Sequence, residues 1–409
     1  MINKKMQVLT LSLGVLLSQG VFAQLKIPDL MGSINADRSI SQDPGIANLN
    51  FYDSAPFVRS VVVNVDALSA DSGAFNFNLD RDSQFVVHQT ASMDLGDGYH
   101  AWHGSVELPK FDGTHELDQD AVNFVVNNNR VFGQIRLAGA VFELRTSQEG
   151  KHFLIERDFS KLGYKDDTPK GVELGIDLPA EGSFGSRGGN TVVRVMQIAS
   201  NAAINAQGGT GPIVDLMNFY ISQSNQAYAA TGIPLSLQNA GLFRATNPER
   251  ATAQQNASGL RNLSDGFQDT LANQTRNSQA ADLVGMIVAT PGDPGICGIV
   301  NAIGGGATNG FFVVKNVCTD FTFVHEIGHL FGARHQNDNN TSPFAFGHGI
   351  ADFTGNFRSI MGTAGTGLPR IGGFSNPDFT VGGRPFGTAS FRDNDRVHRE
   401  RANTVAGFR

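Results

Sequence analysis

Three histidines and a glutamate lie within eleven consecutive residues, His325-Glu326-Ile327-Gly328-His329-Leu330-Phe331-Gly332-Ala333-Arg334-His335. His325 and His329 are four positions apart, so on a helix their imidazoles leave one face, one turn above the other. Two ring nitrogens so placed can bind one zinc ion at about 2.0–2.1 Å each. Glu326 adjoins the first histidine and can take a proton from metal-activated water. Gly332 tolerates positive φ, so the helix can stop there and the chain can turn back. His335 then comes round as a third ligand. The fourth position stays open for water and substrate, as a catalytic zinc requires and a structural zinc, closed by a fourth protein ligand, does not. The sequence therefore implies one catalytic zinc ion on His325, His329 and His335, with Glu326 as general base.

Apolar residues fall where a buried helix wants them, at Phe321, Val324, Ile327, Leu330 and Phe331. A bare H-E-x-x-H arises by chance on amphipathic helices, but the glycine and third histidine at fixed offsets narrow the pattern. The whole stretch resembles the metzincin zinc endopeptidase signature. Ser359-Ile360-Met361-Gly362 is similar to the methionine turn of that family, in the form seen in its reprolysin (adamalysin) branch. Cys297-Gly298-Ile299, Phe374-Ser375-Asn376-Pro377 and the ending from Asp393 to Arg409 add to a likeness with bacterial reprolysin-like enzymes, peptidyl-Asp metalloendopeptidases among them. The likeness covers residues 190–409 and is strongest after Leu283; Gln336 stands where many reprolysins have aspartate.

The resemblance implies an α/β metzincin-like catalytic domain, with a twisted, mostly parallel sheet, flanking helices and the zinc helix at the cleft. It implies that Met361 packs beneath the metal as a soft apolar floor rather than a ligand. It implies an edge strand over 298–303, where Gly298, Ile299 and Val300 hold the peptide substrate extended by strand addition. The segment Gly362 to Phe379 would then wall a substrate pocket, with Arg370 inside it and Arg358 just before it. A guanidinium facing that pocket would favour an acidic residue after the scissile bond; a solvated arginine is the simpler reading.

These groups need a scaffold, and the pattern from Asn190 onward supplies one. Thr191–Ala199, Leu235–Phe243, Leu283–Ala289, Ile296–Ile303 and Phe311–Val317 read as strands. Apolar positions Ile213, Leu216, Met217, Tyr220, Ile221 and Tyr228 have helical spacing, and the polar run Ala251–Ala281 suits one or two surface helices. Cys297 and Cys318 are the only cysteines. In an exported chain they imply one disulfide just ahead of the zinc helix, worth on the order of 3 kcal/mol by loop entropy; two free buried thiols are the alternative.

Upstream, β-branched and alternating runs at Val58–Val65, Gln84–Thr90, Val131–Leu137, Ala140–Leu144 and Phe153–Ile155 indicate a mainly antiparallel β domain over 24–185. It reads as a propeptide. No cysteine precedes Cys297, so latency by a donated thiolate is excluded; His100, His103, Asp94 and Asp97, on an expected loop, are alternative ligands, and ordinary polar loop residues are the simpler account. The glycine-rich stretch 179–189 reads as a linker, with processing expected over 186–190 near Arg187 and the catalytic domain over 191–409. Residues 1–23, with Lys4 and Lys5 before a short apolar core, read as a secretory signal peptide. No later run suits a membrane span. The net charge of -7 argues against nucleic acid as a partner. The expected product is a secreted monomer acting on proteins or peptides as a zinc endopeptidase made as a zymogen. A secreted zinc-containing binding or adhesion protein without catalysis is the alternative. Asp338-Asn339-Asn340 could hold calcium but reads as a turn, and His348 and His398 read as structural.

Overall fold

The computed structural model describes residues 27–32, 57–78, 84–106, 115–137, 139–162, 190–289, 292 and 295–409. The expected signal peptide at 1–23 and the linker with Arg187 lie outside the described residues.

The β-branched and aromatic runs of the first region form eight strands: β1 (Phe57–Val61), β2 (Ala74–Asn78), β3 (Gln84–Gly96), β4 (Tyr99–Ser105), β5 (Ala121–Asn127), β6 (Arg130–Leu137), β7 (Ala140–Thr146) and β8 (His152–Arg157). They make one sheet in the order β1-β8-β7-β6-β5-β4-β3-β2, antiparallel at every step. Gly96, Asp97 and Gly98, all at positive φ, turn β3 into β4. Side chains alternate between two faces. One face builds a private apolar core from Phe75, Phe77, Trp102, Phe124, Leu144 and Leu154. The other carries buried polar groups, Asn123, Gln134, Glu143 and Arg145.

The second region alternates strand and helix: β9 (Thr191–Ala199), α1 (Asn201–Ala206), α2 (Thr210–Ala230), β10 (Leu235–Arg244), α3 (Ala253–Arg261), β11 (Leu283–Val288), β12 (Gly298–Val300), β13 (Phe311–Lys315) and α4 (Thr322–Phe331). The sheet order is β10-β9-β11-β13-β12, parallel through the first three pairs. Antiparallel β12 closes it at one edge. Alternate residues of β9 and β11 feed separate cores. Val193, Val195, Leu283 and Ile287 pack with α2 and α4, whereas Met196, Ile198, Val284 and Met286 pack with α3. Beyond α4 the chain is mostly loop until α5 (Asn394–Val405), a helix whose polar composition hid it from hydrophobic periodicity.

Helix α2 joins the two regions. It buries Leu216, Tyr220 and Tyr228, but also Asp215, Asn218, Ser222, Gln223 and Asn225. Asp215, Ser222 and Gln223 meet the N-terminal sheet. The Tyr99 hydroxyl donates to Asp215 Oδ1 at 2.7 Å, and Arg130 Nε donates to Asp215 Oδ2 at 3.0 Å. His100 and His103 correct the expected loop: both lie in strand β4, where ladder bonds fix the backbone. His103 Nε2 donates to Ser222 Oγ at 2.9 Å, whose hydroxyl donates in turn to Asn123. His100 Nε2 donates to the Leu68 carbonyl at 2.8 Å. Asp94 lies in β3, accepting from Gly96 N–H, and Asp97 occupies the turn.

Candidate metal centre

Helix α4 starts at a left-handed Phe321 (φ 57°) and ends at Gly332 (φ 113°). A side chain at that φ is strained, so the glycine foreseen from the spacing is what lets the helix stop. The amide of Gly332 closes the last turn onto Gly328 and His329. The returning strand-like segment is pinned by Arg334 N–H to the Gly347 carbonyl at 2.7 Å and Gly349 N–H to the Arg334 carbonyl at 2.9 Å. That return brings His335 back over the helix.

The three imidazoles meet. Nε2 of His335 is 3.1 Å from Nε2 of His325 and 3.0 Å from Nε2 of His329. All three histidines are buried, and they are the metal-competent group found among the described residues. Two carbonyls fix which nitrogen faces inward. His325 donates from Nδ1 to the Ile360 carbonyl at 2.7 Å, and His329 from Nδ1 to the Ala333 carbonyl at 2.8 Å. A carbonyl only accepts, so Nδ1 carries the proton on both rings and both Nε2 lone pairs point at the common centre. Nitrogens at 2.0–2.1 Å around a tetrahedral ion would sit about 3.3 Å apart, close to the observed spacings. The donor set fits zinc.

The residue supplying the carbonyl to His325 is part of the methionine turn. Met361 is fully buried beneath the helix, and a Cβ on Gly328 would fall 2.6 Å from its Sδ. Gly328 is thus small because the thioether occupies its place. Glu326 is also buried, and its carboxylate lies against β12: a Cβ on Gly298 would stand 2.5 Å from Oε1. The edge strand and the carboxylate next to His325 are therefore in contact. Ile299 and Val300 follow Gly298 in β12, paired to Val313 and Phe312.

Cys297 and Cys318 are joined in a disulfide with Cα atoms 5.6 Å apart. It ties β12 to the segment that enters α4. Gln336, in place of the reprolysin aspartate, makes a reciprocal amide pair with Thr363, both bonds 2.9 Å. Asp338 caps the Asn340 amide at 2.9 Å and pairs with Arg334, so Asp338-Asn339-Asn340 is a turn. His348 stacks on Phe391, and His398 is buried among Phe331, Phe374 and Tyr228.

Arg370 is neither solvated nor isolated. It is buried, donating to the carbonyls of Asp320 and Gly362. Arg358 donates to the carbonyls of Leu368 (2.8 Å) and Gly362 (2.6 Å), and its Nη2 lies 3.4 Å from Asp320 Oδ2. Asp320 also takes Arg136 of β6 at 2.6 Å. Asp320 was not singled out by sequence reasoning, because nothing local marks a carboxylate between a cysteine and a helix start as a partner for distant arginines.

Comparison with known proteins agrees with this centre. The reprolysin-type model of metallo-peptidase family M12 matches residues 189–375. A peptidyl-Asp metalloendopeptidase of Xanthomonas campestris pv. campestris is 31% identical over 364 residues, 85% of this chain and 85% of that protein. One from Stenotrophomonas maltophilia strain R551-3 is 31% identical over 386 residues, 90% of each chain. A Pseudomonas fragi protein of the same name is 40% identical over 93 residues, 22% of this chain and 59% of that sequence.

Proposed function

This chain belongs to metallopeptidase family M12 and is a metalloendopeptidase, and from that footing we propose that Glu326 is its general base and that it is made as an exported zymogen directed at acidic residues. The observation that carries the chemistry is the convergence of three buried Nε2 atoms beside Glu326 on one short helix. M12 enzymes use zinc, which when bound at such a triad polarises the scissile carbonyl and acidifies water. His325, His329 and His335 would hold the ion. The peptide lies along β12, with Gly298 leaving the strand open to the Glu326 carboxylate. Glu326 takes a proton from the attacking water and passes it to the leaving amine nitrogen. Met361 keeps the floor of the centre dry.

The zymogen reading is supported by how the two regions meet. The N-terminal sheet has a core of its own; its other face meets the catalytic half through hydrogen bonds and ion pairs, alongside an apolar contact of Tyr99, Val125 and Phe132 with the catalytic core. Water can replace the polar contacts when the parts separate. Export is proposed from residues 1–23, and no described helix is long and apolar enough to cross a membrane. The directing aspartate is carried from the names of the relatives.

Casein hydrolysis tests the chemistry. The active protein should cleave it, stop with a zinc chelator, and resume on adding zinc. Glu326→Gln should bind zinc and lose roughly 10²–10⁴ of the rate, the span of general acid–base catalysis. Full activity in that variant would remove Glu326 from the role.

A further inference from the structure

Helix α4 is entered through a backbone conformation that its own sequence disfavours. Phe321 is buried and sits at φ 57°, ψ 16°, in the left-handed region. That region is costly for a bulky residue, and such strain persists only where the surroundings over-determine it. It bears on the metal because the Phe321 carbonyl accepts from the His325 amide at 3.0 Å, the first helical bond of α4. The conformation at Phe321 therefore sets the backbone from which the first zinc histidine projects.

The segment Val317–Phe321 is held from two sides. From the catalytic half, Gln223 of α2 accepts from the Phe321 amide at 3.2 Å, and the disulfide ties Cys318 to Cys297 beside β12. Gly372 leaves a notch for the Phe321 ring, which a Cβ there would meet at 2.7 Å. From the N-terminal sheet, Arg157 Nη2 donates to the Val317 carbonyl at 3.1 Å. Gln134 Nε2 donates to the Thr319 carbonyl at 3.2 Å and to its hydroxyl oxygen at 3.0 Å, and that hydroxyl donates to Glu143. Arg136 pairs with Asp320 at 2.6 Å and also lies over the Phe321 ring, its Cζ 4.7 Å from the centroid. The sheet thus grips Val317, Thr319, Asp320 and Phe321, the run that leads into the zinc helix.

We infer that the N-terminal sheet is the mould of the zinc site: its docking holds Val317–Phe321 in the strained entry that aims His325, so the full-length chain is the form built to take up zinc, and loading precedes processing. The inference rests on the zymogen reading above and gives the sheet a part in building the centre. Once His325 is ligated it is held from its imidazole end, and the entry no longer depends on the sheet. With neither sheet nor metal in place, Phe321 relaxes toward negative φ and the first turn of α4 loosens. The triad-competent backbone is then only a fraction of the population, and apparent zinc affinity falls by that fraction.

Zinc affinity, read by competition with a chromophoric chelator, tests this without any cleavage. The full-length chain and the active protein purified away from its sheet are stripped of metal and titrated side by side. The full-length chain should bind roughly five- to 150-fold more tightly, the range that one residue held in left-handed backbone is worth, while excess zinc reloads both. Arg136→Met combined with Gln134→Met should bring the full-length affinity down toward the sheet-free value. The sheet-free product of that variant has the wild-type sequence and should match the wild-type product, which shows that the variant folded. Should it fail to fold, the two wild-type forms decide alone. Equal affinity in those two forms, or a folded double variant that binds as tightly as the wild type, would overturn the mould. A full-length chain that never yields a shorter active form would strike the zymogen reading instead, and the full-length variant would then judge the grip by itself.

Discussion

Two buried clusters of titratable groups sit on either side of the segment Val317–Phe321, and they are built on opposite plans. In the N-terminal sheet, Glu143 accepts from Arg145 at 2.9 Å, Arg157 at 2.7 Å and Gln134 at 3.0 Å, and from Thr319 across the junction. Two arginines share one carboxylate, and amide and hydroxyl donors fill the rest of its shell. In the catalytic half three imidazoles point their Nε2 atoms at one another. The first cluster's acceptor is filled by donors of the protein; the second fits a cation. A network that satisfies its own members is architecture, and a set of like donors converging on a point is a site.

The sharpest way to break that contrast is to unbalance the self-sufficient cluster. Burial pushes the Glu143 carboxyl up, but Arg145 and Arg157 dominate and hold it down at about 2. Glu143→Leu strands two buried guanidiniums, and urea denaturation should show a loss of roughly 3–5 kcal/mol. Replacing Arg145 and Arg157 by Met in the same chain should restore most of it. If Glu143→Leu alone is harmless, the network is not holding the sheet.

That cluster was also the least visible part of the sequence. The zinc helix, its glycine stop, the third histidine, the methionine turn and the disulfide were legible because their chemistry fixes spacing along the chain. Most strands of both sheets were legible from β-branched alternation. What could not be read was pairing across distance. Glu143 reads as an outward polar residue in an alternating strand until α2 and Thr319 cover that face. Asp215, Ser222 and Gln223 weaken the periodicity of α2 because a second surface buries them. His100 and His103 follow a glycine turn and looked like loop, yet the turn is so tight that β4 begins at Tyr99. Arg358 and Arg370 looked solvated, since nothing adjacent announces Asp320.

A second contrast concerns acid. Burial lowers His103, at the junction with α2, and His398, under the zinc helix, to about 4 each. Both rings are neutral in the native state, while the unfolded chain takes up the protons near 6.5. A lowered histidine pKa means stability is whole above about 6.5, falls as pH drops, and levels below about 4. Each ring should account for roughly 3 kcal/mol of loss across that window. His103→Gln keeps a donor for Ser222 and should flatten the acid limb of a stability–pH curve. It should also keep the N-terminal sheet docked at lower pH. An unchanged acid limb would mean that His103 is hydrated at the junction.

The smallest effect expected separates stability from activity at the site itself. Gly298 carries no positive φ, so its backbone suits alanine, and Gly→Ala at such a position stabilises by roughly 0.4–1 kcal/mol through the unfolded chain. The new Cβ, however, would stand 2.5 Å from Glu326 Oε1 and 2.8 Å from its Cδ and Cγ. A side chain yields before a strand does, so the whole Glu326 side chain from Cγ outward should swing away while the fold holds. A base displaced by about 1 Å can lose on the order of a hundredfold in rate. Gly298→Ala should therefore melt no lower than the wild type, bind zinc equally, and cleave casein far more slowly with kcat carrying the loss. If its kcat is intact, the glycine is not what gives Glu326 its position, and the contact between edge strand and carboxylate is packing alone.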